Sequence, residues 1–414
     1  MKRKILALAI TSLLASNGAM AAEIYNKDGS KINLTGRVAA IYTFKDDKAA
    51  PYLWANDTVN TASGDRQDND NTSYARLGFS GETQINSMLT GYAKFEHNFK
   101  TDNAEDNNSD TTRLAYVGLN YDKMGSLDFG RNYGVVSMIR DFTDASNFDD
   151  LAGKGFTGTS SKDVGMLGRA SSLATYSNKD TFGMVPGLDF YLQYQAKNAG
   201  NASDLSKKHG DGFGIASTYE HEDTGLGFGA TYAKHDRIKE QQTDNIGNNA
   251  EVWGVAAKYD GKVGSDKIYA AVSWAETNNL VSAKNIYEAN CGAIIGTACS
   301  ATSNVADKTS GIEAIFKYTF DLGNNSSFTP QIVYNQTRGK NLNVVRVVNG
   351  VRDDTMTKAY LTKFVTLGAG YRFNKNIDTS LGYKINLVDE EAVYTQQAGL
   401  DVDDRIEMRL TYSF

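Results

Sequence analysis

The chain has 414 residues, including 39 Gly, 23 Tyr and 18 Phe but only 3 Pro and 2 Cys, which excludes a collagen-like chain, a Pro-rich chain and a disulfide scaffold. With 41% hydrophobic residues and a mean hydropathy of -0.43, it cannot supply a bundle of transmembrane helices, each of which needs about 20 consecutive apolar residues. Its formal charge of -6 argues against a nucleic-acid partner.

Residues 1 to 21 read as a secretory signal peptide. Lys2, Arg3 and Lys4 precede an almost wholly apolar stretch of 11 residues, and Ala19-Met20-Ala21 offers a small-x-small cleavage pattern ahead of Ala22. That apolar stretch is short for a membrane anchor. Loss of the three basic residues takes the formal charge from -6 to -9.

Beyond residue 22 no period of 3.6 persists, whereas period-2 alternation recurs to the end of the chain, so strands dominate. Sixteen segments are expected, near 31 to 44, 73 to 85, 89 to 99, 112 to 121, 126 to 133, 167 to 177, 188 to 198, 211 to 222, 226 to 234, 250 to 259, 267 to 276, 309 to 320, 328 to 338, 359 to 373, 377 to 386 and 404 to 414. The last is among the clearest: Ile406, Met408, Leu410, Tyr412 and Phe414 alternate with Arg405, Glu407, Arg409, Thr411 and Ser413. Short connections such as Asn86-Ser87 and Asn374-Lys375-Asn376 alternate with long polar ones such as 45 to 72, 134 to 166 and 277 to 308.

Short turns on one rim and long loops on the other describe a transmembrane β-barrel. A β-sandwich or β-solenoid would alternate too, with its apolar face turned inward. Strands of about 10 residues suit a tilted bilayer crossing. Tyr42, Phe44, Tyr74, Phe99, Tyr121, Tyr133, Tyr176, Tyr259, Phe320 and Phe373 near segment ends suit interfacial girdles. An exported β-chain in lipid must close on itself, because lipid cannot satisfy strand edges. The fold expected is an all-β, sixteen-stranded antiparallel barrel over 22 to 414, wide enough to hold water.

If the apolar face meets lipid, parity turns Arg37, Arg76, Arg113 and Arg169 inward from four strands: Arg37 opposes Val38 and Ala40, Arg76 opposes Leu77 and Phe79, Arg113 opposes Leu114 and Tyr116, and Arg169 opposes Ala170 and Ala174. They are either a functional cluster or four unrelated charges on a wet wall. Ala115, Val117 and Leu119 share a face with Arg113, an irregularity that protein covering both sides of that strand would explain. The 134 to 166 connection is far longer than a rim turn and holds Asp141, Asp144, Asp149, Asp150 and Asp163 against Arg140, Lys154 and Lys162. Folded into the channel it would set acids opposite the arginines; the other reading is a solvated surface loop. Cys291 and Cys299 lie close together in an exported chain and suit a disulfide, since two thiols fall short of a zinc ligand set.

The stretch Ala22-Glu23-Ile24-Tyr25-Asn26-Lys27-Asp28-Gly29, the runs Tyr74-Ala75-Arg76-Leu77-Gly78-Phe79 and Gly81-Glu82-Thr83-Gln84-Ile85-Asn86, and Gly125-Ser126-Leu127-Asp128-Phe129-Gly130-Arg131-Asn132-Tyr133-Gly134-Val135-Val136 resemble the general porins of enteric bacteria, the OmpF/OmpC type. The resemblance covers essentially the whole chain after residue 21. It implies a homotrimer in the Gram-negative outer membrane, in contact with outer-membrane lipid and lipopolysaccharide. Each barrel's third loop would fold inward to form a constriction, and small hydrophilic solutes and ions would pass by diffusion.

By the same resemblance, Arg37, Arg76, Arg113 and Arg169 form the basic wall of the constriction. Asp144 is the first loop acid, and Asp149 or Asp150 stands in for a glutamate of the family's loop tip, which is replaced here by Asn147-Phe148-Asp149-Asp150-Leu151-Ala152-Gly153. Arg140 is an addition that could sit in the eyelet. Glu105 resembles a carboxylate that latches onto a neighbouring subunit, with Arg131 as its partner.

An outer-membrane hydrolase is the competing class. His97, His209, His221 and His235 fall in no Ser or Cys motif, and no Walker, Rossmann or zinc-hydrolase signature is present, so neither catalysis nor a cofactor or metal is expected. A sugar-selective porin is the nearer alternative and would need a track of lumen aromatics. Parity places most aromatics outside, with Tyr191 and Tyr360 as exceptions.

Overall fold

The computed structural model describes residues 21–46, 69–102, 110–149, 151, 163–198, 207–242, 247–281, 283, 286–287, 305–340, 342, 344–348, 351–353 and 358–414. Sixteen strands close into one antiparallel barrel. They are β1 Ser30–Lys45, β2 Tyr74–Gln84, β3 Leu89–Lys100, β4 Thr111–Tyr121, β5 Ser126–Tyr133, β6 Arg169–Asn178, β7 Leu188–Gln195, β8 Gly212–His221, β9 Leu226–Asp236, β10 Asn249–Val263, β11 Asp266–Asn278, β12 Lys308–Gly323, β13 Ser326–Lys340, β14 Lys358–Arg372, β15 Ile377–Asn386 and β16 Arg405–Ser413. Each strand pairs with its sequence neighbours, and the ring closes at β1, where Arg37 faces Arg76 of β2 on one side and Ser413 of β16 on the other. A further strand, Ala22–Lys27, runs along β1 as a continuation of β16. At this junction Gly36 and Phe414 exchange two backbone hydrogen bonds of 2.9 Å.

Exposure decides between barrel and sandwich. In β16, Glu407 is 0% exposed while Met408 and Leu410 are 51% and 54% exposed. Apolar outside and polar inside is the arrangement a membrane barrel requires, and the reverse of a soluble sandwich. Tyr42, Phe44, Phe99, Tyr121, Tyr259, Phe320 and Phe373 stand on the exposed outer face near strand ends. Tyr74 does not: it is buried with Ala39 and Ile41 on the inner wall, beneath the Arg76 guanidinium at 4.6 Å.

The short turns gather at one rim and the long connections at the other. On the long-loop rim Val281, Ala283, Ala306, Leu342, Leu361 and Tyr394 form a small apolar core joining three connections, one of which carries the helix Val393–Ala398. Cys291 and Cys299 lie outside the described residues, as do residues 1–20 of the expected signal segment.

Among the described residues, four barrel strands carry a β-bulge, one extra residue that reverses the parity beyond it: β6, between its Gly130–Leu173 and Asn132–Ala170 pairs, β12, at Leu322, and β4 and β14. On β4, Glu96 of β3 pairs with Leu114 and the next residue, His97, with Thr112, so Arg113 is the extra residue. On β14, Thr337 pairs with Thr362 and Arg338 with Tyr360, leaving Leu361 as the extra. Within one chain, the bulge accounts for the irregular alternation of β4. Val117 and Leu119 are exposed on the outer face and Leu114 is buried inside, while the bulge brings Arg113 to the inward-facing Glu96.

Candidate functional site

The described part of the connection between β5 and β6 lies inside the barrel, and its course begins at a narrow neck. Gly134 N–H donates to the Gly168 carbonyl at 2.7 Å, and Val136 N–H to that of Met166 at 3.2 Å. A Cβ at position 134 would stand 2.2 Å from the Met166 carbonyl oxygen, so the neck requires glycine. Val135, Val136, the short helix Ser137–Arg140 and Phe142 then pack on an inner wall made of small residues: Ala216 of β8, Ala233 of β9, Ala250 and Ala256 of β10, and Ala271 and Ala275 of β11. Gly214 and Gly229 on the same wall leave room for Val135 and Ile139, which a Cβ there would meet at 2.5 and 2.7 Å.

From Phe142 onward the loop crosses polar ground and is pinned strand by strand. The Tyr269 hydroxyl of β11 donates to the Phe142 carbonyl, and Lys317 of β12 to the Ala145 carbonyl. Thr143 Oγ1 lies 2.7 Å from Glu313 Oε2 and 3.0 Å from Ser273 Oγ, all three buried. Asn147 N–H donates to Gln331 of β13 at 3.1 Å, and Ser380 of β15 donates to the Asn147 carbonyl at 2.9 Å. The Phe148 ring lies on the bare backbone of Gly368 and Gly382, two glycines directly paired across β14 and β15. Asp149 N–H donates to Glu407 at 3.0 Å, while its carboxylate meets Arg409 of β16 at 3.4 Å. Thr366 closes the series, donating to the Leu151 carbonyl at 2.6 Å. A segment that leaves the wall at β5 thus reaches β16.

The four predicted arginines stand on β1, β2, β4 and β6. Arg76 and Arg37 are direct cross-strand partners, and Arg76 donates to Asn98 at 3.1 Å. Glu96 of β3 is shared, bound by the Arg113 guanidinium and 3.9 Å from that of Arg76. Arg37 donates to Ser413 at 3.4 Å. Arg169 pairs across the sheet with Tyr133, and the nearby charges of Arg76, Arg113 and Arg140 act on it.

Of the loop acids, Asp144 is half exposed and paired with Arg140 at 3.6 Å. Asp149 rests against the wall at Arg409, and Asp150 lies outside the described residues. Asp141 joins them: burial raises its carboxyl to about 6 against the opposing pull of Arg140, with Asp144 adding to the rise and Arg169 and Lys258 opposing it. Asp163 is used elsewhere, holding Arg131 at 3.1 Å.

Several expectations about single residues change. Arg140 is buried and donates to the Leu167 carbonyl at 3.1 Å, so it fastens the base of the loop instead of lining an opening. Tyr191 faces inward but is buried in the core beneath the loop, and the bulge at Leu361 carries Tyr360 to the outer face. Neither builds a lumen track for sugars. Glu105 lies outside the described residues. Its expected partner Arg131 already donates to Asp163 and to the carbonyls of Thr112 and Arg169.

Glu313, Lys317, Glu407 and Arg409, which hold the loop from the inner wall, were not singled out from the sequence. One signal was available for the loop's course. Many inward positions of β8 to β11, among them Ala216, Ala233, Ala250, Ala256, Ala271 and Ala275, are small and apolar where a water-lined wall favours polar residues.

A family model described as Gram-negative porin matches residues 27–414. The chain belongs to the Gram-negative porins. The porin is 39% identical over 421 residues to Outer membrane protein F of Serratia marcescens and, over the same length, to the outer membrane porin protein OmpD of Salmonella typhimurium; each comparison covers 100% of both chains. A solved structure of Salmonella typhi OmpF in complex with daunomycin matches 95% of this porin and 100% of that chain, with a TM-score of 0.76 and 34% identity. OmpT of Vibrio cholerae shares the fold at a TM-score of 0.55 and 13% identity, over 95% of this porin and 100% of that chain. The protein is accordingly an outer-membrane channel for diffusion of small hydrophilic solutes and not an enzyme.

Proposed function

We propose that this porin sorts solutes by charge and dipole at a constriction between two walls. One is the arginine group Arg37, Arg76, Arg113 and Arg169; the other is the loop bearing Asp144, Asp149 and Asp150. The observation that carries the reading is the loop's course: it is fastened from β8 to β16, while the arginines stand mainly on β1 to β4. A water-filled narrowing lined by charges of opposite sign selects ions by electrostatics. The loop's excess of acids over bases, with Arg140 withdrawn into its base, favours a mild preference for cations.

Reversal potential across a salt gradient in planar bilayers tests this. Wild type should favour cations, and D144N/D149N/D150N should move toward anions. An unchanged reversal potential in the triple variant would place these acids away from the ion path. Saturable block by a large neutral sugar would instead favour a sugar-selective channel.

The same reading includes a homotrimer in contact with outer-leaflet lipid and lipopolysaccharide. Supporting it is an outward apolar depression across β1 to β5, where Gly81, Gly91 and Ala93 leave Ile32, Val117 and Phe129 standing around a hollow into which a second copy can pack. Three equal closing steps in single-channel records are expected.

A further inference from the structure

The outer face of β12 to β14 near the long-loop rim carries an unbalanced group of cations. Register sets Lys234, Glu251, Asn278, Lys308, Lys340 and Lys358 in one cross-strand row from β9 to β14, next to a row holding Trp253, Glu276, Arg338 and Tyr360. Toward the middle of the barrel the same face becomes apolar, with Phe228 and Val272 exposed. Apolar side chains, then aromatics such as the Trp253–Trp274 pair at 4.6 Å, then lysines follow the passage from lipid tails through the interface to head groups.

The carboxylates on this face are already committed. Glu251 takes Lys234 at 3.2 Å, and Glu276 takes Lys308 and stands 4.0 Å from Lys340. Arg338 and Lys363 have no carboxylate among the described residues. Instead both converge on the Tyr360 ring, the guanidinium 5.7 Å and the ammonium 4.7 Å from its centroid. Strict alternation would put residues 360 and 363 on opposite faces. The bulge at Leu361 puts them on the same one, since Tyr360 pairs with the outward Arg338 and Lys363 with the outward Gln336. Two cations gathered over one ring repel each other, and an anion between them would relieve that repulsion through charge-assisted hydrogen bonds to both.

We propose that Arg338, Lys363 and Tyr360 form a binding site for the phosphate of a lipid in the outer leaflet. The site rests on the reading of outer-leaflet contact given above and assigns that contact to particular residues. Its orientation selects the source of the phosphate, because it opens outward beside an apolar face and not into the channel.

Native mass spectrometry of the full chain refolded in neutral detergent tests the site, using bis-phosphorylated lipid A, the same lipid stripped of phosphate, and inorganic phosphate as probes. Wild type should retain the phosphorylated lipid. R338Q/K363Q should lose retention about tenfold or more, as expected for two charge-assisted contacts. K375Q, on the opposite rim, should match wild type. Normal single-channel conductance of R338Q/K363Q reports that the barrel is intact. Equal retention by wild type and R338Q/K363Q overturns the site while leaving outer-leaflet contact standing; no retention by wild type overturns both. Equal retention of the dephosphorylated lipid, or displacement of lipid by inorganic phosphate, also overturns the assignment.

Discussion

Removing the Phe148 ring should loosen the tip of the internal loop more than any other single truncation there. The ring is 5% exposed and rests on Gly368 and Gly382, where a Cβ built on either glycine would come within 2.6 Å of it. Withdrawing about 150 Å² of aromatic surface from water is worth about 4 kcal/mol, and Phe to Ala in packed interiors costs about 3–5 kcal/mol. The three neutral hydrogen bonds at Asn147 N–H, the Asn147 carbonyl and the Leu151 carbonyl contribute about 1 kcal/mol each, so the ring equals them together. Losing about 3 kcal/mol raises the population of a detached tip about a hundredfold. Phe148→Ala removes the ring, whereas Gly382→Val fills its seat from the other side; the two variants should behave alike. Both are expected to show increased open-channel noise with a larger conductance substate, and liposomes bearing them should swell in sugars that wild type excludes. If both variants keep the wild-type noise and the wild-type sugar cut-off, the ring does not hold the loop.

Asp141 gives the channel a pH dependence in a window unusual for an aspartate. Its folded value is about 6 against 3.8 for the free side chain, so the loop gains a negative charge as pH rises through about 6. Cation preference should strengthen across that interval, and the stability that neutral Asp141 lends, complete below 3.8, should be lost over it; Asp141→Asn should flatten both curves, read by reversal potential and by thermal unfolding. Glu96→Gln leaves Arg76 and Arg113 without their shared carboxylate, and should move the reversal potential toward anions by roughly a third of the shift produced by D144N/D149N/D150N, one charge against three. Thr143→Val strips a hydrogen bond from the buried Glu313 carboxylate at a cost of about 1.5–3 kcal/mol, which should appear as a lowered unfolding temperature of the barrel; an unchanged temperature would mean that water replaces the hydroxyl.

The strands were legible because lipid and water impose opposite demands on successive residues, so alternation located all sixteen strands and the two unequal rims. Bulges are harder to read. Arg113 showed only as a break in alternation whose cause was not legible, and Leu361 looks like any other residue until its partner strand shows one residue facing two, so Tyr360 was placed on the wrong face. The inner loop was only half legible. Its acids and length were visible, but its path depends on Ala and Gly scattered over β8 to β11 and on a glycine pair brought together from β14 and β15. These become a surface only when the wall is assembled. The arginines were singled out from the sequence, Arg113 against the alternation of its own strand, whereas Glu96, which tempers two of them, entered only through contact.

The seam at β1 constrains how such a molecule can be made. The partner that β1 needs on its open flank is the sixteenth strand, the last of the barrel's strands to be made and exported, so until β16 arrives every shorter intermediate presents two bare edges. Ring completion therefore joins the most distant parts of the polypeptide, and the crossing from the cell interior to the membrane must be made by a chain kept from pairing with its neighbours in the crowd.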